Sequence, residues 1–257
     1  MTKDYRKELI ENLDQYRIGL DDVFAFKCRG CGKCCKDRED IMLNSRDVYN
    51  IATALGMAPK QVIETYCEIY IGRDSRLPIV RLKPKGINKA CPLLVGGRCS
   101  VHAANPAMKP TVCALFPIGR VMASEVAPED MGLGTPNEIQ YILSPAPCAS
   151  AKRRQTVRTW LEMFGLPIED RFFIKMFGLP IEDRFFIKWN KTAFELMAAL
   201  QKIEEKPDVT PRTLDMLWGS IYMALYADYD THKEFYPQFE ANVSKILSVF
   251  AGLERLG

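Results

Sequence analysis

The run KCRGCGKCCK, residues 27–36, puts four cysteines, Cys28, Cys31, Cys34 and Cys35, inside eight residues. A hydrophobic core has no use for four thiols spaced by Gly, Lys and Arg. Cysteines at i, i+3 and i+6 can turn their sulfurs toward one centre from a bending backbone, and Gly30 and Gly32 permit the bend. The pattern points to metal. Neighbouring side chains diverge in an extended chain, so Cys34 and Cys35 are expected not to complete one mononuclear tetrahedral site. At least one of them then serves a second centre, joins a polynuclear cluster or stays a thiol.

Working outward, four more cysteines follow beside Pro, Gly or short apolar runs: Cys91 in ACPLL, Cys99 in RCSVH, Cys113 in TVCALFP and Cys148 in PAPCAS. Such flanks place them on loops or strand ends. The ninth, Cys67 in IETYCEIY, falls in what reads as an amphipathic helix and is expected to be a small buried hydrophobe. Without it, eight cysteines supply two four-coordinate ions, or one cluster with thiols to spare. His102, three residues after Cys99, has a chelating spacing known from zinc sites, although a lone His more often serves as a hydrogen-bonding residue. His232 lies among charged helix residues. Lys27, Arg29, Lys33, Lys36 and Arg38 surround the first cluster, and Lys89 and Arg98 flank the second; such cations favour thiolate and offset its charge. Asp37, Glu39 and Asp40 partly cancel them.

At 257 residues, 47% apolar and 26% charged, the chain can bury a substantial core without covalent staples. Its start, MTKDYRKELIENLDQY, lacks the order of a signal peptide, and the apolar run MLWGSIYMALYA is too short to span a bilayer. A cytoplasmic location without membrane association is expected, and there clustered thiols serve metal binding or redox chemistry more often than disulfides. A net charge of +3 gives no argument for nucleic acid. No Ser-His-Asp set, phosphate loop or supported carboxylate pair is visible. Glu125, Glu129 and Asp130 read as solvent-exposed loop.

The pattern changes near residue 150. Residues 1–150 hold every cysteine and the strand-like runs, and read as a cysteine-cluster metal-binding domain. Residues 151–257 read as a helical region. An α+β class follows, with short strands and helices around the site. SRDVYNIATALGM reads as a helix with Ser45 as N-cap and Gly56 near its end, and APKQVIETYCEIY as a second with Pro59 in its first turn. LPIVRLKP, IGRVMA and EIQYILS read as strands, the last two separated by the loop SEVAPEDMGLGTPN. Gly96 and Gly97 signal a hairpin across which Cys91 and Cys99 are expected to face each other. Thirteen residues, MFGLPIEDRFFIK at 163–175, recur unchanged at 176–188. An architectural repeat would be longer and diverged, so this is read as a recent duplication or a gene-assembly error that adds a short helical turn outside the site. Trp218, Tyr222, Tyr226, Phe235, Tyr236 and Phe239 stand at helical spacing and are expected to pack a core.

CRGCGKCC, CPLL, RCSVH and NPAMKPTVCALFPIGR, in that order, resemble the bacterial-type CxxCxxCC cysteine-cluster family, often called YkgJ, of zinc- or iron-chelating domains. The likeness covers roughly residues 25–150. It implies Cys28, Cys31, Cys34, Cys35, Cys91, Cys99 and Cys113 as metal residues, with Cys148 as an eighth. Many relatives carry Tyr where this chain has His102. C-x-x-C-x-x-C also resembles the first ligands of a bacterial ferredoxin run, although the Cys-Pro that should follow is missing. An iron–sulfur cluster in a redox or protein-modification role is the leading expectation. The alternatives are a structural zinc module with a protein partner, and a protein-lysine methyltransferase by likeness to the flagellin lysine methylases. For the last, the only glycine candidate for a methyl-donor loop, Gly132 and Gly134, does not follow a strand.

Overall fold

The computed structural model describes residues 12–27, 32–36, 41–122, 139–145, 153–163 and 181–255. In chain order the elements are β1 (Val23–Ala25), β2 (Met42–Leu43), α1 (Ser45–Leu55), α2 (Pro59–Tyr66), β3 (Cys67–Ile71), β4 (Pro78–Leu82), β5 (Leu94–Val95), β6 (Arg98–Cys99), α3 (Ser100–Ala104) and α4 (Thr111–Leu115). Then come β7 (Ile118–Met122), β8 (Ile139–Leu143), β9 (Arg154–Thr156), α5 (Val157–Met163), α6 (Ile181–Glu204), α7 (Pro211–Tyr222) and α8 (Phe235–Arg255). Every strand pairing among the described residues is antiparallel, in four small sheets: β1-β9, β2-β4-β3, β5-β6 and β7-β8. The class is α+β.

These elements form two compact units, each discontinuous in sequence: Met1–Glu39 with Pro84–Lys188, and Asp40–Lys83 with Trp189–Gly257. Compactness therefore parts the chain differently from a cut near residue 150. The reason lies in what Asp40–Lys83 packs on. Its helices and sheet carry apolar faces that the C-terminal helices cover, as the contacts of α1 and α2 with Met223–Ala227, and of α1 with α8, record.

In the first unit, Phe24, Phe26, Leu115, Ile118, Tyr141, Val157, Trp160 and Leu161 form the core. Each such side chain contributes about 1.5–3 kcal/mol on burial. Strand alternation places these residues: in β9, Gln155 is turned inward while Arg154 is exposed. The β5-β6 hairpin turns on Gly96 and Gly97, whose φ of 57° and 79° suit glycine in a tight two-residue turn. Its register pairs Cys99 with Leu94, so the expected Cys91–Cys99 pairing does not occur. Cys91 lies before the strand, its carbonyl accepting from Leu94 N–H at 3.1 Å.

In the second unit α1 buries Val48, Ile51 and Ala52 completely. Its N-cap is Asn44, one residue earlier than expected: Asn44 Oδ1 accepts from Asp47 N–H at 2.8 Å, and Asp47 Oδ2 accepts from Asn44 N–H at 3.2 Å. Gly56 ends the helix at φ 63°. α2 begins at Pro59 as expected but stops at Tyr66, and Cys67–Ile71 is a strand paired along its whole length with β4. β-branched and aromatic residues at Ile69, Tyr70 and Ile71 prefer that pleated surface. Of the aromatic stripe, Tyr226, Phe235 and Phe239 are buried, whereas Trp218, Tyr222 and Tyr236 are half-buried. α7 continues into a π-helical turn, Met223–Ala227, where Tyr226 Oη donates to Pro78 O at 3.4 Å. The duplicated segment lies largely outside the described residues; α6 begins within its second copy.

Candidate metal centre

Gly32 opens the described part of the cysteine run. It adopts φ 67°, a left-handed conformation that costs a residue with a Cβ about 1–2 kcal/mol. From it Lys33–Cys35 form one 3-10 turn, closed by Cys35 N–H donating to Gly32 O at 3.1 Å. The turn overrides the divergence expected of neighbouring side chains: Cys34 Sγ and Cys35 Sγ stand 3.8 Å apart, both half-buried. With metal–sulfur bonds near 2.3 Å, two vertices of a tetrahedron are about 3.8 Å apart. The pair therefore has the spacing of two ligands on one tetrahedral metal ion, and the divergence expected of neighbouring side chains does not occur.

The same turn is fastened to the second cysteine group. Cys35 O accepts from Cys91 N–H at 2.8 Å. A methyl at Gly32 would lie 3.6 Å from Gly97 O, so the turn sits beside the hairpin that ends in Cys99. Residues 56 positions apart thus meet through the main chain. Leu93, 1% exposed, and Val101, 0% exposed, anchor the segment between them in apolar surroundings. Cys91 and Cys99 are half-buried thiols.

Cys113 sits in the short helix α4, its N–H donating to Pro110 O at 2.8 Å and its carbonyl accepting from Lys109 Nζ at 3.0 Å. His102, in α3, faces solvent, and its imidazole is pushed below the ordinary value first by partial burial and then by the Lys109 charge. Among the described residues no three His, Cys, Asp or Glu side chains converge as a metal-binding group. Cys28, Cys31 and Cys148 lie outside the described residues. Cys67 is buried at the head of β3 opposite Leu82, in the second unit, as a small hydrophobe would be.

Lys27, Lys33, Lys36, Lys89 and Arg98 are exposed around these loops, in line with a site built from anionic sulfur. Two side chains that the motif reading passed over bond main-chain carbonyls close in sequence to cysteines. Gln155 Nε2 donates to Phe26 O at 2.7 Å, and Trp160 Nε1 donates to Leu115 O at 2.8 Å. Period-two alternation through Gln155 and Val157 was the available signal for an inward Gln.

Comparison with known proteins gives one finding. Residues 27–148 match the model of the CxxCxxCC family, whose description is "Putative zinc- or iron-chelating domain". No curated protein and no solved structure matches the chain.

Proposed function

We propose that this chain, which belongs to the CxxCxxCC family over residues 27–148, binds a metal ion with Cys34 and Cys35 as two ligands of the same tetrahedral centre. The remaining ligands come from Cys91 and from the set Cys28, Cys31, Cys99, Cys113 and Cys148. The observation that carries the reading is the 3.8 Å separation of two half-buried sulfurs on a turn hydrogen-bonded to Cys91. Zinc in such a site supplies folding free energy, whereas iron adds electron transfer.

An iron–sulfur cluster in a redox or protein-modification role draws support from the count of eight cysteines outside Cys67. The family resemblance adds to it, and the 3.8 Å spacing of Cys34 and Cys35 suits one iron of a cluster as well as a lone ion. Both readings put Cys34 and Cys35 on one ion; the mononuclear thiolate centre, which cross-links the cysteine segments and presents a protein-binding surface, is the one that needs no bridging sulfide. No helix among the described residues is long and apolar enough to cross a membrane. A cytoplasmic location is supported by the clustered thiols, which a reducing compartment keeps available for metal.

The test is metal analysis of the full chain purified without oxygen, beside Cys34→Ser and Cys35→Ser. The expected result is metal without acid-labile sulfide, lowered equally by the two substitutions because both sulfurs serve one ion. Stoichiometric iron and sulfide would replace the reading with a cluster. Loss in one variant and full occupancy in the other would refute the shared ion.

A further inference from the structure

Two cysteine-bearing segments are held by one short module that lies beyond the family match. Phe26 stands two residues before Cys28, and Leu115 two residues after Cys113. The carbonyl of Phe26 accepts from Gln155 and the carbonyl of Leu115 from Trp160, both in buried hydrogen bonds. Gln155 and Trp160 belong to the continuous stretch β9–α5, Arg154–Met163, which begins after the matched segment ends at residue 148. We infer that β9–α5 is a clamp that sets the spacing of the CxxCxxCC run and the Cys113 helix, with Gln155 and Trp160 as positioning residues for the metal ligands. The inference rests on the thiolate metal reading above.

Packing alone does not explain these two side chains. The indole of Trp160 meets Phe24 at 5.8 Å and Phe26 at 5.4 Å, both edge to face, and such ring contacts tolerate sliding. A hydrogen bond to one chosen carbonyl does not, because a slip by one residue leaves a buried donor and acceptor without each other. Gln155 is the sharper case. It is 7% exposed on a face shared with Phe24 and Val157, and its Oε1 is buried without a hydrogen-bond partner. A leucine would bury the same volume without an orphaned acceptor. The bond its Nε2 makes to Phe26 O is what the amide supplies there and a leucine would not. β1 is also laced to this module by Phe26 N–H donating to Arg153 O at 3.0 Å, so the strand that leads into Cys28 is fixed along both its main chain and a side chain.

Outer contacts that orient ligands typically change metal affinity by about 10–100-fold. The experiment compares the full chain with Gln155→Leu, Trp160→Phe, the double variant and Phe24→Leu. Zinc affinity is measured by chelator competition, the thiolate charge-transfer spectrum with cobalt(II), and stability by urea denaturation of the metal-stripped protein. Gln155→Leu and Trp160→Phe are each expected to weaken zinc binding about tenfold or more and to shift the cobalt spectrum. The double variant should lose little more than the larger single loss, because releasing either end frees the spacing. Phe24→Leu, which trims the same aromatic cluster and touches neither carbonyl, should lower stability with affinity within about twofold. Unchanged affinity in both single variants, or an equal loss in Phe24→Leu, overturns the clamp. Should Gln155→Leu not fold, Trp160→Phe, which keeps a ring in place, decides alone. A parent chain that binds neither metal sinks the metal reading itself, and the clamp with it.

Discussion

Phe26→Ala tests the core on which the candidate centre rests. Phe26 is 2% exposed, and its ring meets Trp160 at 5.4 Å and Phe116 at 5.8 Å, both near perpendicular. Burial of the ring is worth about 1.5–3 kcal/mol and each edge-to-face contact about 0.5–1.5 kcal/mol beyond it. Together these give a loss of about 2.5–6 kcal/mol, which brackets the range of about 3–5 kcal/mol usual for a buried Phe cut to Ala. A domain holds only about 5–15 kcal/mol in all, so the variant is expected to be marginal. Because the fold comprises two compact units, a single two-state number would blur the effect. Hydrogen exchange by mass spectrometry on metal-stripped, reduced protein resolves it: β1, β9 and α5 should lose protection by about 10²–10⁴-fold while α7 and α8 keep theirs. A loss below about 1 kcal/mol, or one spread evenly through α7 and α8, would refute the assignment of this core to the first unit alone.

Two further outcomes are expected in the second unit. Burial is the largest effect on the Tyr229 phenol and raises it from 10.0 to about 12, with the Asp228 charge adding to it. The folded state then holds that proton more tightly than the unfolded one. The stabilisation is present in full below pH 10 and is lost as pH rises through 12, by about 3 kcal/mol. Tyr226, buried nearby, moves in the same direction. Urea melts between pH 8 and 11.5 should show the fall, and Tyr229→Phe should reduce its slope while Tyr226 keeps the rest; an unchanged slope would contradict the burial of Tyr229. Asn44→Ala removes the reciprocal cap of α1 and should cost about 1 kcal/mol in urea melts, with Asn44→Ser recovering most of it.

Local chemistry was readable in the sequence wherever one residue type dictated one geometry. Gly56 as the stop of α1, Pro59 as the start of α2 and Gly96–Gly97 as a hairpin turn each follow from backbone freedom or its restriction. IGRVMA and EIQYILS do pair as β7 and β8. The failures share a cause. Cys67 belongs to a strand because β4 offers it a partner, and a tertiary pairing outweighed the helical period of IETYCEIY. Cys34 and Cys35 converge because Gly32 winds the chain into a 3-10 turn, which spacing rules for an extended chain did not contain. The cysteine motifs announced a metal site, and the approach of Cys35 to Cys91 agrees with it. The supporting side chains did not announce themselves, since Gln155 and Trp160 act through carbonyls whose neighbourhood only the fold creates. The division into units was hidden for the same reason: Asp40–Lys83 has its packing partners after residue 188.

That interleaving has a consequence for biosynthesis. Cys35 leaves the ribosome 56 residues ahead of Cys91, the residue that its carbonyl binds in the finished protein. At about 5–20 residues per second, the nascent thiols wait roughly 3–11 s for that partner, and longer still for Gln155 and Trp160. During that interval the thiols of Cys34 and Cys35 stand on the translating chain without the main-chain bond that later fastens their turn to Cys91.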